Sequence, residues 1–118
     1  MKKIYYLSNC STCKKIMDSL NLSGFEKHEI KSQPLTKIEI DEMKKLSGSY
    51  ESLFSRRAKL YQELNLKEKN LTENDYLHYL LEHYTFLKRP VVLFNEEIFI
   101  GNSPKTVQQL QEKLNHRI

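Results

Sequence analysis

Apolar and polar residues near the start of the chain follow first a strand rhythm and then a helix rhythm. Residues 4–7 form a short apolar run rich in β-formers, which predicts a strand. Apolar residues recur with a 3.6-residue period from just after Cys10, so a helix is predicted to begin there. Gly24 marks a turn, and residues 25–30 predict a second strand. This strand–helix–strand order favours a parallel pair with a right-handed crossover.

The middle of the chain, about residues 35–86, carries helical patterns only. Thr36 with Glu39 three residues later predicts a capping box at a helix start, and Thr72 with Asp75 repeats that signature. The segment between these two helices has an interrupted helical pattern. We therefore expect a helical insertion here. The helix behind Thr72 is expected to bury four side chains: Leu77, Leu80, Leu81 and Tyr84.

The last third of the chain returns to strands before a final helix. Residues 91–94 are continuously apolar, which predicts a buried strand. Asn95 and Glu96 fit a hairpin turn, so residues 97–100 should run back antiparallel. Pro104 follows a serine, as is typical of the first position of a helix.

The elements therefore follow the order β-α-β, helical insertion, β-β-α. This order predicts an α/β protein with a thioredoxin-like fold and a mixed sheet, although the pattern does not fix the order of the strands. With 118 residues the chain has the usual size of one domain, and we expect a single domain over residues 1–118.

Charge and hydropathy narrow the classes of function. The formal net charge is +4, and its one dense spot is Arg56, Arg57 and Lys59. This cluster is either a solvated helix face or an anion site; a nucleic-acid surface is least favoured, because no aromatic platform accompanies it. No apolar run approaches a membrane span, and the N-terminal run is too short for a secretory signal, so we expect a cytoplasmic protein without a membrane partner.

The two cysteines, Cys10 and Cys13, are the strongest candidates for chemistry. Cys10 follows a predicted strand and lies where a helix begins, and the partial positive charge of a helix N-terminus favours thiolate over thiol. Cys13 is one helical turn away and could attack a mixed bond formed at Cys10, releasing it as an internal disulfide. The Cys-x-x-Cys spacing inside a βαβ pattern is typical of thiol redox chemistry.

Two other interpretations of this cysteine pair remain open. A structural zinc site needs four ligands, but the sequence has no further cysteine and no histidines at a paired ligand spacing. The pair could also be two inert core cysteines. No flavin, nucleotide or metal motif is present, so we expect no bound cofactor and no metal.

Arg89 and Pro90 precede the third predicted strand. Judged from the residues alone, Pro90 is best interpreted as a trans proline that starts a strand. The fork of Arg89 suits planar or tetrahedral oxyanions, and with Cys10 and either Arg56 or Arg57 it could form an anion pocket. The alternative is that these arginines are surface residues in exposed salt bridges.

Four sequence blocks occur together in a recognisable order and spacing. They are Tyr5-Tyr6 with residues 10–15, residues 53–64, residues 87–92 and residues 100–104. Together they resemble the arsenate reductase ArsC family, which also contains the Spx-type transcriptional regulators. The resemblance spans essentially the whole chain and implies a thioredoxin-like fold with a helical insertion.

The resemblance also implies roles for individual residues. It makes Cys10 the nucleophile that attacks arsenate, Arg89 an oxyanion-binding arginine, and Pro90 a cis-proline beside it. A middle family arginine falls at or near Arg56 or Arg57. A third family arginine should follow the glycine after the last strand, and that position is Asn102 here.

Two functions follow from the resemblance. The first is a thiol-dependent oxidoreductase of the arsenate reductase type that acts on arsenate or on a related oxyanion or thiol substrate. Cys13 or glutathione would then resolve the intermediate, and a glutaredoxin or thioredoxin system would supply electrons. The alternative is an Spx-like redox-sensing regulator that binds RNA polymerase, with no direct nucleic-acid contact. Cys13, which the glutathione-dependent reductases typically lack, and Asn102 are the two departures from the reductase pattern.

Overall fold

The computed structural model describes residues 1–115, which form a four-stranded sheet and helices. The strands are β1 (Lys2–Tyr6), β2 (Glu26–Glu29), β3 (Val91–Phe94) and β4 (Glu97–Ile100). The α-helices are α1 (Ser11–Asp18), α2 (Lys37–Ser47), α3 (Lys59–Glu63), α4 (Glu73–Glu82) and α5 (Pro104–Asn115). The predicted element order and the α/β thioredoxin-like fold with a mixed sheet are confirmed. No helix in this part of the chain has the length and apolar character to cross a bilayer.

The chain divides into two compact units, of which the first holds the sheet. It consists of residues 1–32 together with the chain from Arg89 onward. The strand order is β2-β1-β3-β4; β1 pairs with β2 in parallel and with β3 antiparallel. Residue 95 has a φ of 57° in the predicted hairpin turn between β3 and β4. The end of β1, the end of β2 and the start of β3 therefore lie at the same end of the sheet.

One face of the sheet packs into the hydrophobic core of this unit. Its buried members come from β1, β3, β4 and α5: Ile4, Val92, Phe99, Leu110 and Leu114. Half-buried residues from α1 and the following turn, such as Met17 and Leu20, pack against them. Complete burial of a side chain of this size stabilises the fold by about 1.5–3 kcal/mol. The core therefore holds α1 against the sheet, and this packing fixes the position of the N-terminus of α1.

The second unit, residues 33–88, contains α2, α3 and α4. Both predicted capping boxes are present, Thr36 with Glu39 and Thr72 with Asp75. The interrupted pattern between them corresponds to a 3-10 turn at residues 51–53 and the short α3.

The prediction for the buried face of α4 is wrong at Leu81, which is 39% exposed. The helix buries Tyr76 and Leu80, four positions apart, and Leu81 lies about 100° further round the axis. Tyr84 falls beyond the end of α4, in a 3-10 turn, and is half-buried.

Candidate active site

The strand-to-helix connection after β1 places Cys10 at the N-cap of α1. Its backbone is extended, with φ −104° and ψ 112°, and its carbonyl accepts the first helical hydrogen bond, from the Lys14 N–H at 3.1 Å. The Cys10 N–H donates to the Leu7 carbonyl at 3.2 Å, which closes the turn between strand and helix. The half-buried Cys10 side chain therefore faces the unpaired N–H groups of the first helical turn.

These groups act directly on the Cys10 thiol. The Cys13 N–H points at Cys10 Sγ, at a distance of 3.5 Å. Burial alone would raise the pKa of Cys10, but hydrogen bonds from Cys13 and from the Thr12 N–H, together with the positive charge of Arg89, outweigh burial and lower the pKa below that of an ordinary thiol. The sequence-based expectation of an activated thiol at a helix N-terminus agrees with this direction.

Cys13 has the opposite electrostatic character. Its side chain is 1% exposed, and burial is the main reason that its pKa is raised to about 11, with the neighbouring Cys10 adding to the shift. Both cysteines are free thiols. The outer thiol of the pair thus ionises more readily than an ordinary thiol, while the inner thiol holds its proton at neutral pH.

We expect alkylation of Cys10 by iodoacetamide to show a pH midpoint below the free-cysteine value of about 8.5. Only the thiolate reacts, so a lowered pKa moves the rise of the rate to lower pH and increases the rate at pH 7. Site-resolved mass spectrometry of pH-jumped samples measures the midpoint, and buried Cys13 is the internal comparison. A Cys10 midpoint at or above the free value would contradict the activated thiolate.

Arg89, Pro90 and Asn102 come together where β3 starts and β4 ends. The Arg89–Pro90 bond is cis, as the family resemblance implies; the trans interpretation from the residues alone is wrong. The Pro90 carbonyl accepts from the Gly101 N–H at 2.9 Å, and Asn102 Nδ2 donates to the Arg89 carbonyl at 3.3 Å. Gly101 has a φ of 87°, a conformation that favours glycine. The turn thereby places an exposed neutral amide next to Arg89, the arginine that acts on Cys10.

Arg56 and Arg57 lie in the second unit, and their environments differ. Arg56 donates to Glu51 at 2.7 Å and to the Tyr76 hydroxyl at 3.0 Å, and its pKa is raised chiefly by the bond to Glu51. This partly exposed ion pair agrees with the surface interpretation of Arg56. The Arg57 side chain is exposed, and no acidic residue of the described chain pairs with it. The Arg57 guanidinium is therefore more available to a ligand than that of Arg56.

Residues 1–115 contain no cluster of three His, Cys, Asp or Glu side chains that could hold a metal ion. Cys10 and Cys13 together supply two thiols, half the ligand set that a structural zinc site uses.

Sequence reasoning missed one polar side chain of this region, Glu29 at the end of β2. Its carboxylate accepts from the backbone N–H of Ser8, two residues before Cys10, at 2.8 Å. No motif marks Glu29, because the partner is 21 positions away in the sequence. The parallel register, in which Tyr6 is opposite Glu29, could have indicated it had the pairing been known.

Comparisons with known proteins bear on the family and the fold of the chain. The model of the ArsC family matches residues 5–110. The chain is 25% identical over 104 residues to the global transcriptional regulator Spx of Streptococcus pneumoniae (strain ATCC BAA-255 / R6), covering 86% of this chain and 78% of the relative. It is 26% identical over 113 residues to the regulatory protein MgsR of Bacillus subtilis (strain 168), covering 92% and 89%. The structure of an arsenate reductase from Vibrio cholerae superposes with a TM-score of 0.73 at 23% identity, covering 92% of this chain and 96% of the other, which shows the shared fold.

Proposed function

Because this chain belongs to the ArsC family, we propose that it is a cytoplasmic thiol-dependent oxidoreductase of the arsenate reductase type with Cys10 as its nucleophile. The observation that carries the proposal is the pairing of two unlike thiols. Cys10 has a lowered pKa at the N-cap of α1, and Cys13 beside it is buried and protonated. This asymmetry suits a reaction in which one sulfur attacks and the other resolves.

The proposed reaction uses the two sulfurs in sequence. The Cys10 thiolate attacks the arsenic of arsenate, a sulfur–arsenic bond forms, and an arsenate oxygen leaves as water after protonation. A second thiol, that of Cys13 or of glutathione, then attacks Cys10 Sγ. The sulfur–arsenic bond breaks, its electron pair reduces arsenic from As(V) to As(III), and the two sulfurs are oxidised to a disulfide. A glutaredoxin or thioredoxin system returns both thiols to the reduced state.

Arg89 is the cation that this step requires. Its charge already lowers the pKa of Cys10, which supports a position from which the guanidinium also binds substrate oxygens as charge develops. The family resemblance adds Arg57, or Arg56, as a second oxyanion ligand. Asn102 takes the place of a third arginine, so the site carries less positive charge than the family pattern. A less charged oxyanion or a small thiol substrate is therefore a close variant of the proposal.

We expect Asn102→Arg to increase kcat/KM for arsenate by about tenfold or more, since a charge-assisted hydrogen bond to an anion contributes about 1.5–3 kcal/mol. The Asn102 side chain lies against the Arg89 backbone and is exposed, so an arginine there has room to reach the same ligand. Steady-state kinetics with arsenate measure the change. Asn102→Gln, which keeps a neutral amide, is the control. Equal kinetics for both variants would contradict a substrate-binding position.

The experiment that tests the function is arsenate-dependent NADPH oxidation by the purified protein. It is coupled in parallel to glutathione with glutaredoxin and to thioredoxin with thioredoxin reductase. Turnover that requires Cys10 supports the reductase, and the coupling system that works identifies the reductant. Absence of turnover in both systems would overturn the proposal.

A second candidate function is an Spx-like redox switch that binds RNA polymerase. The two relatives named above are regulators, and the two cysteines are neighbours in space, since the Cys13 backbone N–H contacts Cys10 Sγ. In this function the disulfide would be a sensor and not a catalytic intermediate. It predicts rapid Cys10–Cys13 oxidation, a stable complex with the polymerase and no arsenate turnover.

A further inference from the structure

The half-buried carboxylate of Glu29 accepts four hydrogen bonds. One oxygen, Oε2, accepts from the Ser8 N–H at 2.8 Å. The other, Oε1, accepts from the Lys31 N–H at 2.8 Å, the Ser32 N–H at 2.7 Å and the Ser32 hydroxyl at 3.0 Å. The two oxygens therefore serve two different stretches of backbone.

These two stretches are the loops that leave the parallel strands β1 and β2. Tyr6 and Glu29 are opposite each other in the register, and the Ile30 N–H continues the ladder by donating to the Tyr6 carbonyl at 2.9 Å. Beyond this point the strand ladder ends, and the chain after Tyr6 turns towards Cys10. Beyond the last hydrogen bond of the ladder, the Glu29 carboxylate connects Ser8 to the end of β2 by accepting from the Ser8 N–H.

We propose that Glu29 is a positioning residue for Cys10, holding the Ser8–Cys10 segment so that Cys10 Sγ stays in front of the N–H groups of α1. This inference rests on the proposed nucleophilic role of Cys10. Glu29 is charged throughout the working pH range: partial burial opposes ionisation, but the hydrogen bonds from Ser8 and Ser32 dominate and lower its pKa to about 2. All residues of the argument belong to the first unit.

A positioning role and a purely electrostatic role of Glu29 predict opposite changes in the pKa of Cys10 when Glu29 is replaced. A carboxylate that acted only by its charge would raise the pKa of Cys10, so its removal would lower that pKa. If Glu29 instead holds the loop, its removal lets Cys10 Sγ move away from the Cys13 and Thr12 N–H groups and from Arg89, the groups that lower its pKa. The pKa of Cys10 then rises, and alkylation at pH 7 becomes slower.

The test compares Glu29→Gln and Glu29→Ala with Glu26→Gln in the full chain. Glu26 is the matched control, because it lies on the same strand and makes only a 3.7 Å ion pair with Lys3 at a well-exposed position. We expect Glu29→Gln, which keeps one acceptor oxygen, to slow Cys10 alkylation at pH 7 by about threefold, as a rise of half a pKa unit implies. Glu29→Ala should slow it further, and Glu26→Gln should match the wild type. Circular dichroism confirms that each variant is folded.

A measurement on the wild type does not depend on any variant folding. The Ser8 amide should exchange with solvent at least about tenfold more slowly than an unprotected amide, since its hydrogen bond to Glu29 must open first. An unprotected Ser8 amide, an unchanged Cys10 midpoint in both Glu29 variants, or a lowered midpoint would overturn the positioning role. A wild-type Cys10 midpoint at or above the free-cysteine value would instead overturn the activated nucleophile of the proposed function.

Discussion

Replacement of Cys10 with serine is expected to reduce thiol-dependent turnover at least about 10³-fold, the scale on which loss of an enzyme's nucleophile acts. A serine hydroxyl at the N-cap of α1 can still accept the Cys13 N–H, so the helix start and the fold should persist. It cannot become an anion at neutral pH or form a disulfide. The coupled NADPH assay measures the loss, and circular dichroism confirms the fold.

Cys13→Ser is the matched comparison for that variant. Cys13 is buried with a pKa of about 11, so we do not expect its sulfur to replace Cys10 in the attack on arsenate. If Cys13 is the resolving thiol, Cys13→Ser stops turnover after one event and leaves Cys10 reactive towards iodoacetamide. If glutathione resolves, turnover continues. Turnover by Cys10→Ser at a rate near that of the wild type would contradict the proposed nucleophile.

Arg89→Ala is expected to lower kcat/KM by about 10²–10³-fold, the usual effect of removing one group that stabilises developing negative charge. The same substitution should raise the pKa of Cys10, because the Arg89 guanidinium is one of the charges that lower it. The two effects separate in a pH profile. At a pH well above the Cys10 midpoint only the loss of oxyanion binding remains, so the rate recovers in part and does not reach that of the wild type.

Lys88→Ala is the control for Arg89→Ala, since it removes a neighbouring cation at a half-buried position. Arg89→Lys keeps the charge but loses the fork, so it should preserve the Cys10 midpoint better than the arsenate kinetics. Equal losses in Lys88→Ala and Arg89→Ala would indicate a general charge effect and would contradict a specific oxyanion ligand.

The sequence predicted several features that depend on neighbours along the chain. Both capping boxes, the placement of Cys10 at the start of α1, and the β3–β4 hairpin follow from local spacing. The strand order and the contact between Glu29 and Ser8 depend on distant pairings, which a single sequence does not reveal. Leu81 was mispredicted because hydrophobicity alone does not say where the buried stripe of α4 ends.

The features of the candidate site also divide into those that the sequence could predict and those that it could not. Cys10 and Cys13 could be found from spacing, and the resemblance supplied the cis bond before Pro90, which the residues themselves did not favour. The neutral amide of Asn102 could be identified as a departure from the family, but its bond to the Arg89 carbonyl could not. The assignments of Arg56 and Arg57 as oxyanion ligands remain predictions.

The register of β1 with β3 has a consequence for the newly synthesised chain. Tyr5 pairs with Val91, so β1 waits for its second partner until the intervening unit of residues 33–88 has been synthesised. Arg89, one of the groups that activate Cys10, arrives equally late. Until β3 joins the sheet, Cys10 therefore lacks the contribution of Arg89, so its pKa reaches the value of the folded protein only after this pairing. The long-range pairing thus makes the full activation of Cys10 depend on the assembly of the sheet.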